Sequence, residues 1–253
     1  MRKHLILWML PVLAAGLSSP LRAQQAADLA ECYLQQQHID SLQRVQTLEY
    51  SGRFLMNGAE YAATARLMGP GNLVLTLRQG RETLQFHLAG GKYWLTTAQS
   101  GPNQILPAPP EFAPSMLRMA FPAGFLLNQP PLKGPAQLLG NEVMYGQDVY
   151  LLETVTSQKY RFRYVLTAGD CRAIQLESTV SASGQTFAEA CLFSDFRDTY
   201  GIQLPYRIDA GPGKTPNQIF LIDSYQFNGK LNAKDFRIPE GDVAGAEHVL
   251  TLW

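Results

Sequence analysis

The stretch LEYSGRFLMNGAEYAATARL, residues 48–67, decides the fold class of this chain. Apolar residues such as Leu48, Tyr50 and Phe54 alternate with polar ones up to Asn57-Gly58, and alternation resumes after that dipeptide. A period of two is typical of a β-strand with one buried and one solvated face, and Asn-Gly is a favoured two-residue hairpin turn. The stretch therefore predicts two antiparallel strands joined by a tight turn.

The same alternation recurs through most of the chain, separated by short turn segments that contain glycine. Further strands are predicted at 73–77, 84–88, 93–95, 149–151, 160–166, 174–176, 187–193, 204–208 and 219–227. Residues 98–137 break the pattern because they combine many prolines with large apolar side chains, which favours one or two short helices lying over an apolar surface. The sequence thus predicts a mainly β protein, with one antiparallel sheet in two runs and a helical insertion at about 98–137.

Two short segments before the first strand have helical features. Apolar residues from Ala26 to Leu34 recur at helical spacing, which predicts a helix from Ala26 to Gln37. Asp40 is a candidate N-cap for a helical turn that extends to Val45.

The first 23 residues have the pattern of a cleavable signal peptide. Arg2 and Lys3 precede an apolar run from Leu5 to Leu17, and Ala23 offers a small residue at the cleavage point. The run is too short to span about 30 Å of hydrocarbon. We therefore expect cleavage before Gln24, which leaves residues 24–253 as a single periplasmic domain without a transmembrane segment.

Charge excludes one class of partner. The predicted signal peptide contains three of the 21 Lys and Arg residues and none of the 21 Asp and Glu residues, so the mature chain is slightly acidic. A nucleic-acid-binding protein usually carries a basic patch, so nucleic acid is not expected as a partner.

No pattern of catalytic or metal-binding residues is present. The sequence lacks the nucleophile elbow, the phosphate loop and the zinc motifs, and His38, His87 and His248 are far apart and expected at the surface. Asp195 and Asp198 are paired carboxylates, but their context fits a solvated strand that enters a turn at Gly201. We expect neither enzymatic activity nor a cofactor or metal.

Three cysteines remain after cleavage, so at most one intramolecular disulfide can form. Cys171 and Cys191 lie on neighbouring predicted strands, which makes them the preferred pair over any bridge to Cys32. A hairpin turn near 182–184 would place Cys191 opposite Gln175 rather than Cys171, so this pairing stays open unless the strand bulges.

The order of these elements resembles the LolA family of periplasmic outer-membrane lipoprotein carriers and relatives such as the RseB amino-terminal domain. The resemblance is carried by SLQRV at 41–45 before the first strand, by GGKYW at 90–94, by GIQLPY at 201–206, and by DFRIPEG at 235–241. It implies an unclosed, curved antiparallel half-barrel whose concave apolar face, covered by a helical lid, receives acyl chains. The family's turn carries an Arg before Pro-Asn, whereas Gly69 takes that place in MGPGN at 68–72.

These features lead to two hypotheses. The first is a monomeric periplasmic carrier that binds a lipid or acylated lipoprotein. Burial of an acyl chain against an apolar concave face contributes about 0.8 kcal/mol of binding free energy per methylene. The second is an envelope sensor or scaffold that binds another protein and carries no lipid, because an apolar face capped by helices is also an ordinary core. Trp94 is the least certain of the predicted ligand-binding residues, since alternation places its side chain on the other face of the strand from Tyr93 and Leu95. The predicted wall consists of Tyr50, Phe54, Leu67, Leu75, Leu77, Phe86 and Trp94, and the predicted lid contacts are Met116, Met119, Phe121 and Phe125.

Overall fold

The computed structural model describes residues 18–36, 38, 44–69, 72–89, 92–98, 104–107, 136–155, 161–182, 185–212 and 216–237. Within them the helix α1 (Ser18–Gln36) precedes the strands, and a 3-10 helix (Ala233–Phe236) follows them. The strands are β1 Thr47–Met56, β2 Ala59–Met68, β3 Leu73–Gln79, β4 Glu82–Ala89, β5 Lys92–Ala98, β6 Gln104–Pro107, β7 Gln137–Met144, β8 Gln147–Val155, β9 Arg161–Thr167, β10 Ala173–Ala182, β11 Gln185–Thr199, β12 Ile202–Pro212 and β13 Gln218–Phe227.

All these strands form one antiparallel sheet with the order β6-β5-β4-β3-β2-β1-β13-β12-β11-β10-β9-β8-β7. The first run, β1 to β6, extends outward on one side of β1, and the second run, β7 to β13, ends at β13 beside β1. The two runs therefore meet at the pairing of β1 with β13, and β6 and β7 are the two edges. This open, curved sheet confirms the predicted half-barrel architecture with its two runs of strands.

Tight turns with positive φ angles close several of the hairpins. Asn57-Gly58, Tyr145-Gly146 and Tyr200-Gly201 each have two consecutive residues in the left-handed region, with φ between 51° and 81°. Two such residues define the turn whose twist matches antiparallel strands, and glycine at the second position adopts it without strain. The predicted Asn57-Gly58 hairpin is confirmed.

The inner face of the sheet carries the main hydrophobic cluster. It includes Tyr50 and Phe54 of the first run, Tyr164 and Phe193 of the second run, and Tyr33 of α1. A second, smaller cluster of Val149, Val165 and Ile174 lies apart from it. Because neighbouring residues of a strand face opposite sides, the alternation in the sequence separates these two faces.

The disulfide joins α1 to the sheet, and the preferred Cys171–Cys191 pairing is wrong. Cys32 of α1 bonds Cys171 in the turn between β9 and β10, with Cα atoms 5.9 Å apart. Cys191 is buried, and its partner on β10 is Leu176. Leu176 lies five residues after Cys171 in the chain. The bulge that would have aligned the two strand cysteines does not occur in the β10–β11 ladder, and α1 packs close enough to the sheet for Cys32 to reach Cys171 instead.

Part of the predicted helical insertion is a strand instead, because residues 104–107 form β6. Residues 92–98 complete β5, and β6 pairs with it through Ile105 opposite Thr96 and Leu106 opposite Leu95. Residues 104–107 form a strand despite the nearby prolines because their backbone pairs with β5. The strand ends at Pro107, which has no N–H to donate to the ladder. The rest of the insertion up to residue 135 lies outside the described residues, as does the turn predicted after Asp40.

Candidate functional site

Six of the seven predicted wall residues lie together on the inner face. Tyr50, Phe54, Leu67, Leu75, Leu77 and Phe86 all belong to the main hydrophobic cluster, and each is at most 4% exposed. Cross-strand pairing aligns Tyr50, Ala65, Leu75 and Phe86 in one row over four adjacent strands. Directly opposed residues share one face of a sheet, so this row is a continuous apolar surface. The side chains of this surface are buried in this structure and are not open to solvent.

Aromatic residues of β13 extend this surface past the junction of the two runs. The ring centroids of Tyr50 and Phe220 are 5.4 Å apart, and those of Phe54 and Phe220 are 5.8 Å apart with the rings edge to face. Tyr225 also contacts Tyr50, and its hydroxyl donates to the carbonyl of Pro205 at 2.5 Å. Burial raises the pKa of the Tyr225 phenol well above its usual value. Phe220 and Tyr225 were not predicted as wall residues, because the adjacency of β1 and β13 is not visible in local patterning.

The second run contributes an inner face that α1 covers. Tyr33 of α1 packs against Tyr164 of β9 with ring centroids 5.5 Å apart, and both side chains are almost fully buried. Burial raises the pKa of both phenols, so they stay neutral. Ala26 and Leu29 of α1 join the same cluster. These packed residues of α1 lie after the predicted cleavage point between Ala23 and Gln24.

Trp94 lies on the opposite face, so its predicted position in the wall is wrong. It stands opposite His87 in the ladder, and the two rings stack at 5.0 Å with 5° between their planes. Trp94 is 1% exposed and lies outside the main cluster, while its neighbour Tyr93 belongs to that cluster. The strand thus follows strict alternation, which places Trp94 on the other face from Tyr93.

His87 is less exposed than predicted from the sequence. Its Nε2 lies 3.1 Å from the hydroxyl of Thr96, which donates to Gln85, and Gln85 donates to Thr76. Burial lowers the pKa of His87 to about 4, so the ring is neutral at neutral pH. The outer face therefore holds a polar ladder whose buried hydroxyls are hydrogen-bonded.

Two of the cavities lined by described residues include no predicted wall residue. The larger has a volume of about 750 Å³ and lies at the ends of β8 to β11, where Phe193 and Phe196 form apolar walls and Asp148 and Arg172 polar ones. Arg172 lies 5.0 Å above the Phe196 ring and pairs with Asp170. The smaller, of about 420 Å³, lies beside Tyr145 and Leu192.

The described residues contain no cluster of side chains able to hold a metal ion, and no helix among them is long and apolar enough to cross a membrane. Asp195 pairs with Arg197, whose guanidinium lowers the pKa of that carboxyl, and Asp198 accepts a hydrogen bond from the backbone of Gly201. These carboxylates have the structural roles at a strand end that the sequence predicted.

Comparison with known structures decides the fold family. A domain from Vibrio parahaemolyticus described as an outer membrane lipoprotein-sorting protein domain matches with a TM-score of 0.55 and 13% identity, covering 85% of this chain and 97% of the other. A DUF1329 family protein from Desulfovibrio piger matches with a TM-score of 0.52, 13% identity and the same coverage. The chain has a LolA-like fold.

A LolA superfamily protein from Nitrosomonas europaea is also similar, with a TM-score of 0.49, 16% identity, and 84% and 97% of the two chains covered. No protein-family profile matches the sequence, and no curated protein matches it significantly. At these identities the comparisons show the LolA-like fold alone.

Met68, Gly69 and Asn72, in the turn where this LolA-like chain departs from the family motif, are held by hydrogen bonds of the backbone and of the Asn72 side chain. Met68 accepts from the Asn72 side-chain amide at 3.0 Å, and its N–H donates to the carbonyl of Asn72. Gly69 has a φ of 56° and donates to the carbonyl of Gln46. Glycine suits that positive φ and has no side chain with which to hold a neighbouring element.

The predicted lid contacts Met116, Met119, Phe121 and Phe125 lie outside the described residues. Along the chain they belong to the segment that connects Pro107, at the end of edge strand β6, to Gln137, at the start of edge strand β7. This segment therefore connects one edge of the LolA-like sheet directly to the other.

Proposed function

We propose that this protein is a periplasmic binding or carrier protein that holds an acyl chain of a lipid or acylated lipoprotein against the inner face of its sheet. The observation that carries the proposal is the single apolar cluster on the inner face of an open sheet, drawn from both runs of strands. Burial of a dozen methylenes against such a face would contribute on the order of 10 kcal/mol before ordering costs.

Small side chains in the middle of this face support the proposal. Ala63 and Ala65 lie in the inner cluster of β2, opposite Leu77 and Leu75 of β3. Alanines between large neighbours leave room that either a ligand or another part of the chain can fill. Because the predicted wall is covered, ligand entry requires that a covering element moves first.

The proposed protein is a carrier rather than an enzyme, and its proposed location is the periplasm. The signal-peptide pattern of residues 1–23 and the name of the lipoprotein-sorting neighbour support this location. Amino-terminal sequencing of protein from a periplasmic extract should start at Gln24. A chain that starts at Met1 in that fraction would contradict the proposed processing.

Ala65→Phe tests the binding proposal. If a ligand occupies the space beside Ala65, the added ring should lower the affinity for acyl ligands by tenfold or more and change the free energy of unfolding of the apo protein little. Ala62→Phe is the matched control, because Ala62 lies on the same strand and is exposed. Native mass spectrometry after gentle purification and titration with a fluorescent fatty acid would measure binding.

The second candidate function, an envelope sensor or scaffold without a lipid, is favoured by the burial of the predicted wall to at most 4% exposure. In a filled core Ala65→Phe overpacks the interior and should cost about 1–3 kcal/mol of stability. A large loss of stability, together with only apo protein and no uptake of offered fatty acid or lipopeptide, would reject the carrier proposal in favour of this alternative.

A further inference from the structure

A polar row crosses the inner face of the second run. Thr154 on β8 stands opposite Phe162 on β9, Phe162 stands opposite Ser178 on β10, and Ser178 stands opposite Glu189 on β11. Opposed residues share one face of a sheet, and Phe162 belongs to the inner hydrophobic cluster. The side chains of this row therefore all lie on the inner face.

Two hydroxyls of the row are buried without a hydrogen-bond partner. Thr154 is 1% exposed and Ser178 is 2% exposed, and neither Oγ atom has a hydrogen-bond partner among the residues that the structure describes. A buried hydroxyl without a partner costs free energy, so native proteins pair such groups with protein, water or ligand. Valine and alanine would fill the same space without this cost.

The outer face of the same sheet gives a direct comparison. There, buried Thr76 and Thr96 both hydrogen-bond to Gln85, and Thr96 also contacts His87. This sheet thus pairs buried hydroxyls with its own side chains on the face where no ligand is proposed. On the inner face Phe162 separates Thr154 from Ser178, and the Ser178 hydroxyl is not hydrogen-bonded to Glu189, which lies opposite it.

We propose that Thr154 and Ser178 hold the neutral polar head group of an acyl ligand, such as the glycerol of a monoacylglycerol, whose chain lies over the apolar rows beside them. This inference rests on the proposed function. The two residues are two strands apart, about 9–10 Å between Cα atoms, so a head group with several hydroxyls can reach both and a single ester carbonyl cannot.

The neighbours of the row fit this head group. Glu189, 6% exposed, lies opposite Ser178, and its carboxyl oxygens can accept a hydrogen bond from a ligand hydroxyl. The adjacent row on the inner face is apolar or aromatic, with Leu152, Tyr164 and Leu176 opposite one another. A head group at the polar row would therefore place its chain beside a row of matching polarity, where Tyr33 of α1 packs on Tyr164 and has to move to admit the chain.

The test compares two ligands with the same chain and ester, dodecanoyl glycerol and methyl dodecanoate, which differ in the glycerol hydroxyls. Their affinities are measured by displacement of a fluorescent fatty acid from the full mature protein. We expect the glycerol ester to bind about tenfold more tightly than the methyl ester. In the double variant Thr154→Val with Ser178→Ala this preference should disappear through weaker binding of the glycerol ester, while methyl ester affinity and the melting temperature stay unchanged or rise.

Thr76→Val is the matched control, because it removes a buried hydroxyl that is paired on the outer face. It should leave the ligand preference intact. Equal affinity of the native protein for both esters, or a preference that survives the double variant, would overturn the head-group inference and leave acyl binding in place. Failure of the native protein to bind either ester or any fatty acid would overturn the proposed function and this inference with it.

Discussion

Gly52 lies at the junction between the two runs of strands. The β1–β13 register shifts between Ser51 and Gly52, and a Cβ atom at Gly52 would overlap the carbonyl oxygen of Leu221 on β13. The absence of a side chain is therefore required for these two strands to pair closely. Because β1 and β13 are the only direct link between the runs within the ladder order, this single residue affects the whole sheet.

We predict that Gly52→Ala lowers the free energy of unfolding by about 1–3 kcal/mol, because the backbone of β13 has to move to admit the methyl group. Gly140→Ala is the matched control, since Gly140 also lies at a strand irregularity but has no atom within 4 Å of a Cβ position. Chemical denaturation of both variants measures the difference. Equal effects of the two substitutions would show that the close approach at Gly52 does not matter.

His87 gives a prediction of pH dependence. Burial lowers its pKa to about 4 in the folded protein, against about 6.5 in an unfolded chain. The unfolded state therefore binds more protons between these values, so the stability that His87 contributes is complete above pH 6.5 and is lost as the pH falls toward 4. We predict a loss of up to about 3 kcal/mol over this range.

His87→Gln should flatten this dependence while it keeps a polar group near Thr96. Thermal melts at pH 7, 5.5 and 4.5 measure it, and the difference between the native protein and the variant removes contributions from other groups. Parallel pH profiles of the two proteins would contradict the burial of a neutral His87 against Trp94.

Sequence alternation predicted most of the candidate site at the residue scale. It placed Leu75, Leu77 and Phe86 on one face, and it indicated that Trp94 belongs to the other face from Tyr93. It could not predict that Phe220 of β13 contacts Tyr50, because that contact depends on a strand pairing between residues about 170 positions apart in the chain. A period of two indicates the face of the strand on which a side chain lies. It does not indicate which other strand pairs with that strand.

At the scale of elements, α1 is attached to the second run by packing and by a covalent bond. It contacts β7 and β8, Tyr33 packs on Tyr164, and Cys32 bonds Cys171 over 139 positions of the chain. A bridge that closes so long a loop removes much entropy from the unfolded chain. The bond therefore links the amino-terminal element to a turn in the second run of the sheet.

We predict that Cys32→Ser lowers the free energy of unfolding by about 3–5 kcal/mol. Peptide mapping without reduction should recover the Cys32 peptide joined to the Cys171 peptide. The control is Cys191→Ala, which removes one buried sulfur outside the bridge and should cost about 1 kcal/mol. A Cys171 peptide joined to the Cys191 peptide, or equal costs for both variants, would contradict the observed pairing.

The elements that sequence reasoning missed are those that depend on partners far along the chain. β6 is four residues long and ends at Pro107, so it has no detectable period and exists because β5 pairs with it. β7 has a bulge between Leu138 and Gly140 and an exposed Val143, which interrupts alternation. The Cys32–Cys171 bond was missed for the same reason, since only tertiary packing brings α1 to the β9–β10 turn.

At the scale of the whole molecule, the two edges of the sheet determine where a covering element can lie. Residues 108–135 join the end of β6 to the start of β7, which are the opposite edges of an open curved sheet. The chain between them is long enough to cross from edge to edge. We retain the prediction of a lid over the inner face at residues 107–127, of which Pro107 is the last residue of β6 and the others lie in this segment. This lid distinguishes ligand binding from simple core packing.

A lid docked through few contacts opens at low free energy, and its inner side faces a cleft that water can enter. We therefore predict that Met119→Asp and Phe125→Asp reduce acyl-ligand affinity by tenfold or more with little loss of melting temperature. In a permanently packed core the same substitutions would bury an unpaired carboxylate and cost several kcal/mol of stability. Val143→Asp on β7, where the side chain is 69% exposed, is the control that adds a charge without either effect. Large losses of melting temperature in both lid variants with unchanged ligand affinity would refute the lid, and with it the mechanism by which a covered apolar face could admit a ligand.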